Sequence, residues 1–575
     1  MRRLLSLLAL VLSTVALMAV PAHRGAAQVR QPDGSTITLR LYGDEWMNFH
    51  ATDDGYSVVK DQHGYYVYAQ LKEGRLEATE RVAHDIAERS SSELEWLKGI
   101  RKFQTPSFSE RMAQKMVQEQ NRRTSMLNTR RAALYDYSTF RGLVILIEFN
   151  DRFFSRSNYA QVIDDMLNQP NYKGYDNSRY GKFTGSVRDY FVDNSLGKFE
   201  PQFDVVGPVR VGYSQYDPHQ VDDVAPIIFD ALLKIDGTVD FTRYDADKNG
   251  VADLIYIVFA GLGSHFEAND ERLVWPHAGM LTNNGPVVFD GVRMNNYACS
   301  TELYGDEEAH ILDGIGTFCH EFSHVLGLPD LYDTDYEKSG GESNHPDEWL
   351  IMSGGSYANY GRTPVGYSLY ERYAAGFALP EVIDGEGSKR LNPLALFNKG
   401  YRINTEVTNE FFLLENRQPS QFKWDKYLPG HGLLVFRVDS TNAAVWERNQ
   451  INANPNHNYF TLIRAGGGTG ATNSDPFPGK NVVTELDNYT NPANLLTWAG
   501  KNAQWGIYDI TEKGNIIRFE IRKPQKPDGI MLPEMAVKDE APITPDDIFY
   551  NLNGQRVSPN AKGLLISRGR KLLKK

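Results

Sequence analysis

The chain has 575 residues, a net charge of −12 and 41% hydrophobic residues, enough for several domains around a sizeable core. The mildly acidic balance gives no electrostatic case for binding nucleic acid. With 31 Tyr and 28 Phe, the composition excludes a largely disordered chain and suits β-rich domains.

The N-terminus carries the pattern of a secretory signal. Arg2 and Arg3 precede an apolar run over residues 4–20, and Gly25, Ala26 and Ala27 place cleavage before Gln28. The alternative is an uncleaved anchor, because the run approaches spanning length. No other stretch is long and apolar enough to span a bilayer, so no membrane span is expected after signal removal. From residue 31 to about 87, short alternating runs such as 37–41 and 65–69 are punctuated by Gly55, Gly64 and Gly74, which predicts a small β module. Residues 88–134 read as helical and charged, with Ser90–Ser92 before Glu93 as a cap. Cleavage near Arg122-Arg123 or Arg130-Arg131 would release an inhibitory prosegment; the other reading is a solvated helix face.

From about 139 to 385 the pattern mixes strands and helices. Residues 140–149 and 254–261 read as buried strands, and residues 186–191, 222–234 and 368–375 as helical. Before the second strand, Asp245, Asp247, Asn249 and Asp253 alternate around Gly250. Oxygen-bearing side chains in that pattern predict a short calcium loop, or otherwise an Asx-rich turn. A full EF-hand is excluded, since Tyr256 stands at its twelfth position.

Residues 314–333 read GIGTFCHEFSHVLGLPDLYD. In His320-Glu321-Phe322-Ser323-His324, residues four apart lie on one helix face, so both imidazoles can point at one metal ion. Glu321 follows the first ligand directly, which suits a general base acting on water. Gly327 can end the helix in a left-handed conformation and Pro329 blocks its continuation. A catalytic zinc needs a third protein ligand and an open position. Asp330 is the candidate, at the place where the metzincin pattern has His. Downstream, Trp349 to Tyr357 read WLIMSGGSY, which looks like a Met-turn, with Met352 as an apolar floor beneath the metal.

HEFSHVLGLPDLYD followed by WLIMSGGSY resembles the immune inhibitor A family of secreted zinc metallopeptidases. The resemblance implies zinc on His320, His324 and Asp330, with Glu321 catalytic. GDEWMNFHATDDGYSVVKDQHGYYVYA resembles that family's prosegment region, and the segments around Trp275-Pro276-His277 and residues 297–302 resemble recurring segments of it. FFLLENRQ and KYLPGHGLLVFRVD resemble the region where a β-sandwich abuts the catalytic domain. The last residues, FYNLNGQRVSPNAKGLLISRGRKLLKK, resemble C-terminal domains that direct cargo through the type IX secretion system; a plain solvated end is the alternative.

The two cysteines, Cys299 and Cys319, invite a disulfide in an exported protein, or are two buried thiols. Neither lies in the N-terminal segment, so no cysteine there can block the metal. His265, His277 and His310 read as structural, His345 as solvent-facing and His431 as a turn residue. Tyr357 and Tyr370 are candidates to stabilise an oxyanion, or are packing residues.

The expected fold is α+β: a signal at 1–27, a prosegment at 28–134, a zincin/metzincin-like catalytic domain at 139–385, a β-sandwich at 390–523, a linker at 524–546 and a β tail at 547–575. The expected function is a zymogen-derived, secreted or cell-surface zinc endopeptidase, in which a zinc-activated water attacks the peptide bond with Glu321 as general base. Its cofactors are zinc and calcium, and its partners are protein or peptide substrates and, through the tail, secretion machinery. The alternatives are a calcium-dependent surface adhesin with a vestigial metal site and a zinc hydrolase of non-peptide bonds.

Overall fold

The computed structural model describes residues 20–107, 137–526 and 549–574, apart from 24, 45–46, 175–179, 218–222, 267–269, 271, 282–285, 306–310, 336–340, 525, 551–555, 558–562 and 568–569. Two compact units emerge, residues 1–524 and 525–575. The first begins with an antiparallel sheet whose six strands follow chain order: β1 (Ala27–Arg30), β2 (Thr36–Gly43), β3 (Asn48–Thr52), β4 (Ser57–Lys60), β5 (Tyr66–Lys72) and β6 (Arg75–Val82). Alternate side chains of β2, from Ile37 through Leu39 to Leu41, are buried, as the two-residue period of a half-covered sheet requires. Helix α1 (Ser91–Leu97) begins where Ser90 Oγ accepts the Glu93 N–H at 3.2 Å, and its Leu97 closes this small core. Both arginine pairs lie outside the described residues.

A second sheet positions the site. It is built from β7 (Arg141–Glu148), β8 (Gln202–Arg210), β9 (Ile255–Leu262), β10 (His277–Met280) and β13 (Asn296–Leu303), in the order β10-β13-β9-β7-β8; a hairpin of β11 (Val288–Phe289) and β12 (Val292–Arg293) precedes β13. Four strands run parallel and β10 is an antiparallel edge. The continuous apolar runs read from the sequence follow from burial on both faces. Leu143, Ile145, Ile255 and Ile257 pack toward α4 (Ala225–Ile235). Val144, Leu146, Tyr256 and Val258 pack toward α2 (Tyr159–Asn168), α3 (Val187–Ser195) and α5 (Ile315–Val325). Asp222, expected near the start of α4, lies outside the described residues.

Every residue of α5 is buried. Phe322, fully inaccessible, sits among Phe140, Phe191, Phe199 and Phe203, with ring centroids 4.9–6.0 Å away. Two glycines let the start of α5 approach the loop after Met352: a Cβ on Gly316 would lie 1.9 Å from the Ser356 carbonyl oxygen, and one on Gly314 would lie 2.2 Å from Gly361. At the other end Gly327 has φ +94°, and Leu328 N–H bonds back to Ser323 O at 3.0 Å.

The expected disulfide is absent. Cys299 and Cys319 are free thiols on opposite faces of the second sheet: Cys299 points toward α4, while Cys319 lies in the core on the α5 side. Successive strand residues face opposite ways, so a cysteine on the other parity of β13 would have been needed.

Helix α6 (Leu369–Ala374) leads into β14 (Glu381–Val382), β15 (Gly387–Leu391), α7 (Leu394–Phe397), β16 (Tyr401–Asn404), β17 (Glu410–Arg417), β18 (Gly432–Asp439), α8 (Ala443–Glu447), β19 (Phe460–Leu462), β20 (Gly506–Lys513) and β21 (Ile516–Arg522). These strands form a five-stranded sheet, β14-β16-β17-β18-β19, and a three-stranded one, β15-β21-β20. Phe412, Leu414, Leu433 and Val435 pack against the smaller sheet, whereas Phe411, Leu413, Leu434 and Phe436 join the core that holds α5. One sheet therefore serves two cores.

The second unit holds β22 (Phe549–Tyr550), β23 (Arg556–Val557), β24 (Gly563–Ser567) and β25 (Arg570–Lys574), antiparallel in the order β23-β22-β24-β25. Asn553-Gly554 and Arg568-Gly569 lie outside the described residues. Among the described residues, no helix is long and apolar enough to cross a membrane.

Phe322→Ala should cost about 3–5 kcal/mol of stability by leaving a cavity in this aromatic cluster. Denaturant unfolding measures that directly.

Candidate metal centre

One helical turn carries His320 and His324 to the same side of α5, with their Nε2 atoms 3.2 Å apart. The turn at Gly327 then returns the chain so that Asp330 Oδ1 lies 3.2 Å from His320 Nε2 and 3.4 Å from His324 Nε2. A tetrahedral ion with bonds of about 2.0–2.1 Å to nitrogen and oxygen has ligand–ligand edges of about 3.3–3.4 Å. The three separations fit that edge, and two imidazoles with one carboxylate are donors zinc accepts. Among the described residues, this is the only group of three or more His, Cys, Asp or Glu whose donor atoms converge.

The backbone fixes the tautomers. His320 Nδ1 lies 2.8 Å from Ile351 O and His324 Nδ1 lies 2.9 Å from Leu328 O. A carbonyl only accepts, so each Nδ1 carries a proton, which leaves Nε2 as the ring nitrogen that a metal would take.

All four side chains are buried, and their charges are set by one another. Burial raises the Asp330 carboxyl, but the two imidazoles outweigh it and hold it at about 2. For His320, burial works downward and is outweighed by the Asp330 hydrogen bond and by the charges on Glu321 and Asp330, so it rises to about 9. Burial takes His324 down to about 4. Burial, reinforced by Asp330, pushes Glu321 up to about 8. Glu321 Oε1 accepts the Val20 N–H at 2.7 Å, whereas Oε2 is buried with no hydrogen-bond partner.

Several supports had no local signal in the sequence. Asn449, from the loop between β18 and β19, accepts the Asp330 N–H through Oδ1 at 2.8 Å and donates through Nδ2 to Asp330 Oδ2 at 2.6 Å. It aims the carboxylate from 119 residues away. The chain from Trp349 to Met352 is held by Glu371, whose Oε1 accepts the Met352 N–H at 3.1 Å, and by Arg417, whose Nη1 donates to Trp349 O at 3.4 Å. Ser368-x-x-Glu371 is readable as a capping box, and both its hydrogen bonds are present, but its second oxygen's service to the Met352 turn is not. Met352 itself is fully buried, and its carbonyl accepts the Leu331 N–H at 2.7 Å.

The remaining candidates fall out differently. His345 is 4% exposed rather than solvent-facing: its loop folds inward, where its Nδ1 lies 3.1 Å from Ser353 Oγ. In the expected calcium loop, the carboxylates accept N–H groups of the loop itself. Asp245 accepts N–H groups of Asn249 and Gly250, Asp247 accepts that of Asn249, Asp253 accepts that of Ala246, and these carboxylates do not converge. That is the arrangement of an Asx-rich turn. Tyr370 packs against Phe460 at 4.8 Å, while Tyr357 points its hydroxyl at Pro21 O. His265 is buried, His277 bridges Trp275 O and the Tyr297 hydroxyl, and His431 pairs with Glu512. His310 lies outside the described residues.

Asn449→Ala should weaken zinc binding about 10- to 100-fold, read by chelator competition, because it removes both hydrogen bonds that orient Asp330. Zinc must displace the proton that His320 holds below about pH 9. Affinity should therefore rise about tenfold per pH unit up to that point and level off above it, with about one proton released per ion.

Residues 229–373, which contain this centre, match the family described as immune inhibitor A peptidase M6, catalytic domain. The chain is 30% identical over 163 residues to immune inhibitor A of Bacillus thuringiensis subsp. alesti, a stretch covering 26% of this chain and 23% of that protein. It is 24% identical over 326 residues to the pre-pro-metalloprotease PrtV of Vibrio cholerae serotype O1 (strain M66-2), covering 49% of this chain and 34% of that protein. The chain thus spans between about a quarter and a third of the length of these curated relatives.

Proposed function

We propose that this chain is a zinc-dependent endopeptidase that acts on proteins or peptides and is exported from the cell. The observation that carries this reading is the convergence of His320 Nε2, His324 Nε2 and Asp330 Oδ1 at the edge lengths of a tetrahedral ion, with Glu321 next in the chain and outside the triad. Similarity of residues 229–373 to a peptidase catalytic domain supports the reaction class. The signal pattern at residues 1–27 supports export, and the sequence of the last residues supports a role for secretion machinery.

When bound, zinc supplies a Lewis acid that makes a water nucleophilic and polarises the scissile carbonyl. The chain does the rest. Both imidazoles are held as Nε2 donors by backbone carbonyls, and Asp330 is aimed by Asn449. Glu321 accepts a proton from the attacking water and delivers it to the leaving amine. A carboxyl raised toward neutrality by burial is suited to doing both, because neither transfer is then strongly uphill. Residues 28–134 are read as a prosegment, and within it Gly43 O reaches the chain lying at Glu321 while Met47 packs on Tyr332. The name pre-pro-metalloprotease borne by a relative agrees with that reading.

Glu321→Ala should retain zinc at wild-type stoichiometry while hydrolysis of casein falls about 10²- to 10⁴-fold. A zymogram with and without chelator, alongside metal analysis, checks both parts. Normal cleavage by the variant would overturn the mechanism, and absence of cleavage by zinc-loaded wild type freed of its prosegment would overturn the peptidase reading.

A further inference from the structure

A segment of the chain itself lies across the centre. Val20, Pro21, Ala22 and His23 run outward from Glu321, with Val20 fully buried and Ala22 2% exposed. The Val20 N–H donates to Glu321 Oε1 at 2.7 Å. Trp275 Nε1–H donates to Val20 O at 3.0 Å, and the Tyr357 hydroxyl donates to Pro21 O at 2.6 Å. The Ala22 N–H goes to Gly43 O at 2.8 Å, and the His23 N–H to His265 O at 2.9 Å. Apart from Gly43, these partners belong to the part of the chain that carries the metal centre.

The contacts read backbone, not side chain, at the first two residues. Recognition of that kind suits a cleft that takes extended peptide of varied sequence, since every peptide offers the same carbonyls. The side chain of the fourth residue is treated differently. The His23 ring lies 5.4 Å from Phe266, 6.1 Å from Tyr304 and 5.2 Å from Tyr357, centroid to centroid, and its Nε2 lies 3.3 Å from the Tyr304 hydroxyl. Beside it His265 is fully buried with neither ring nitrogen hydrogen-bonded, and burial keeps it neutral by lowering it to about 3. This is a ring-lined recess with a polar wall.

The direction of the segment follows from Glu321. In the hydrolysis argued above, that carboxyl gives its proton to the leaving amine, and the nitrogen it holds here is that of Val20. Resting on the peptidase reading, we propose that residues 20–23 trace the path of the substrate's leaving half. Trp275 and Tyr357 are then positioning residues that clamp its first two carbonyls, and Phe266, Tyr304 and Tyr357 receive a ring at its fourth residue. While in place, the segment excludes substrate from that half of the cleft; cleavage before Gln28 removes it.

The test uses the secreted, zinc-loaded protein after release of its prosegment and two fluorogenic peptide series identical up to the cut. One continues for four residues beyond it, ending in His or Ala, and the other ends at the first residue beyond. Tyr357→Phe removes one oxygen. It should lower kcat/KM about three- to tenfold more on the long series than on the short one, chiefly through KM. His should be preferred to Ala at the fourth residue by wild type. Equal losses on both series, or no loss on either, would overturn the proposal. A second measurement does not depend on turnover: calorimetric binding of the tetrapeptide Val-Pro-Ala-His should weaken about three- to tenfold in both Trp275→Phe and Tyr357→Phe. If wild type cleaves neither series, the peptidase reading fails, and the tetrapeptide still decides the clamp. Unchanged affinity in both variants, or no affinity in wild type, would refute it.

Discussion

The structure depends on one electrostatic arrangement: a carboxylate and two imidazoles, all buried, brought within about 3.4 Å of one another with no solvent to screen them. Burying a charge is costly unless a partner of opposite sign is present. Without a metal, the compensation is a proton held by His320 against Asp330. A divalent cation held by His320, His324 and Asp330 would supply that compensation in place of the proton.

Much of the surrounding fold serves to hold that triangle. Helix α5 is anchored by the Phe322 cluster on one side and by the close approach of Gly316 to Ser356 on the other. The turn carrying Met352 is tied to Glu371 and Arg417, and Asp330 to Asn449. Asn449 and Arg417 come from the strand-rich region after residue 390, whose larger sheet lends one face to the core around α5. That region completes the centre and is not a separable appendage. Rigid support of this kind is what keeps ligands at fixed separations.

The motif at 320–330 was legible because its chemistry is local: a four-residue helical spacing, a glycine able to adopt positive φ, and a carboxylate three residues on. The strands at 141–148 and 255–262 were legible because burial on both faces leaves continuous apolar runs. What was not legible depends on long-range geometry. Asn449 meets Asp330 across 119 residues, with no pattern near either to announce it. The parity of Cys299 on its strand decides which face it takes, and sequence alone does not say which face meets α5. His345 sits in a polar loop that folds inward.

Diffraction from zinc-soaked crystals, recorded at and below the zinc absorption edge, tests the central claim most directly. The account predicts one anomalous peak about 2.0–2.2 Å from His320 Nε2, His324 Nε2 and Asp330 Oδ1. A peak elsewhere, or Asp330 turned away from the two imidazoles, would contradict it.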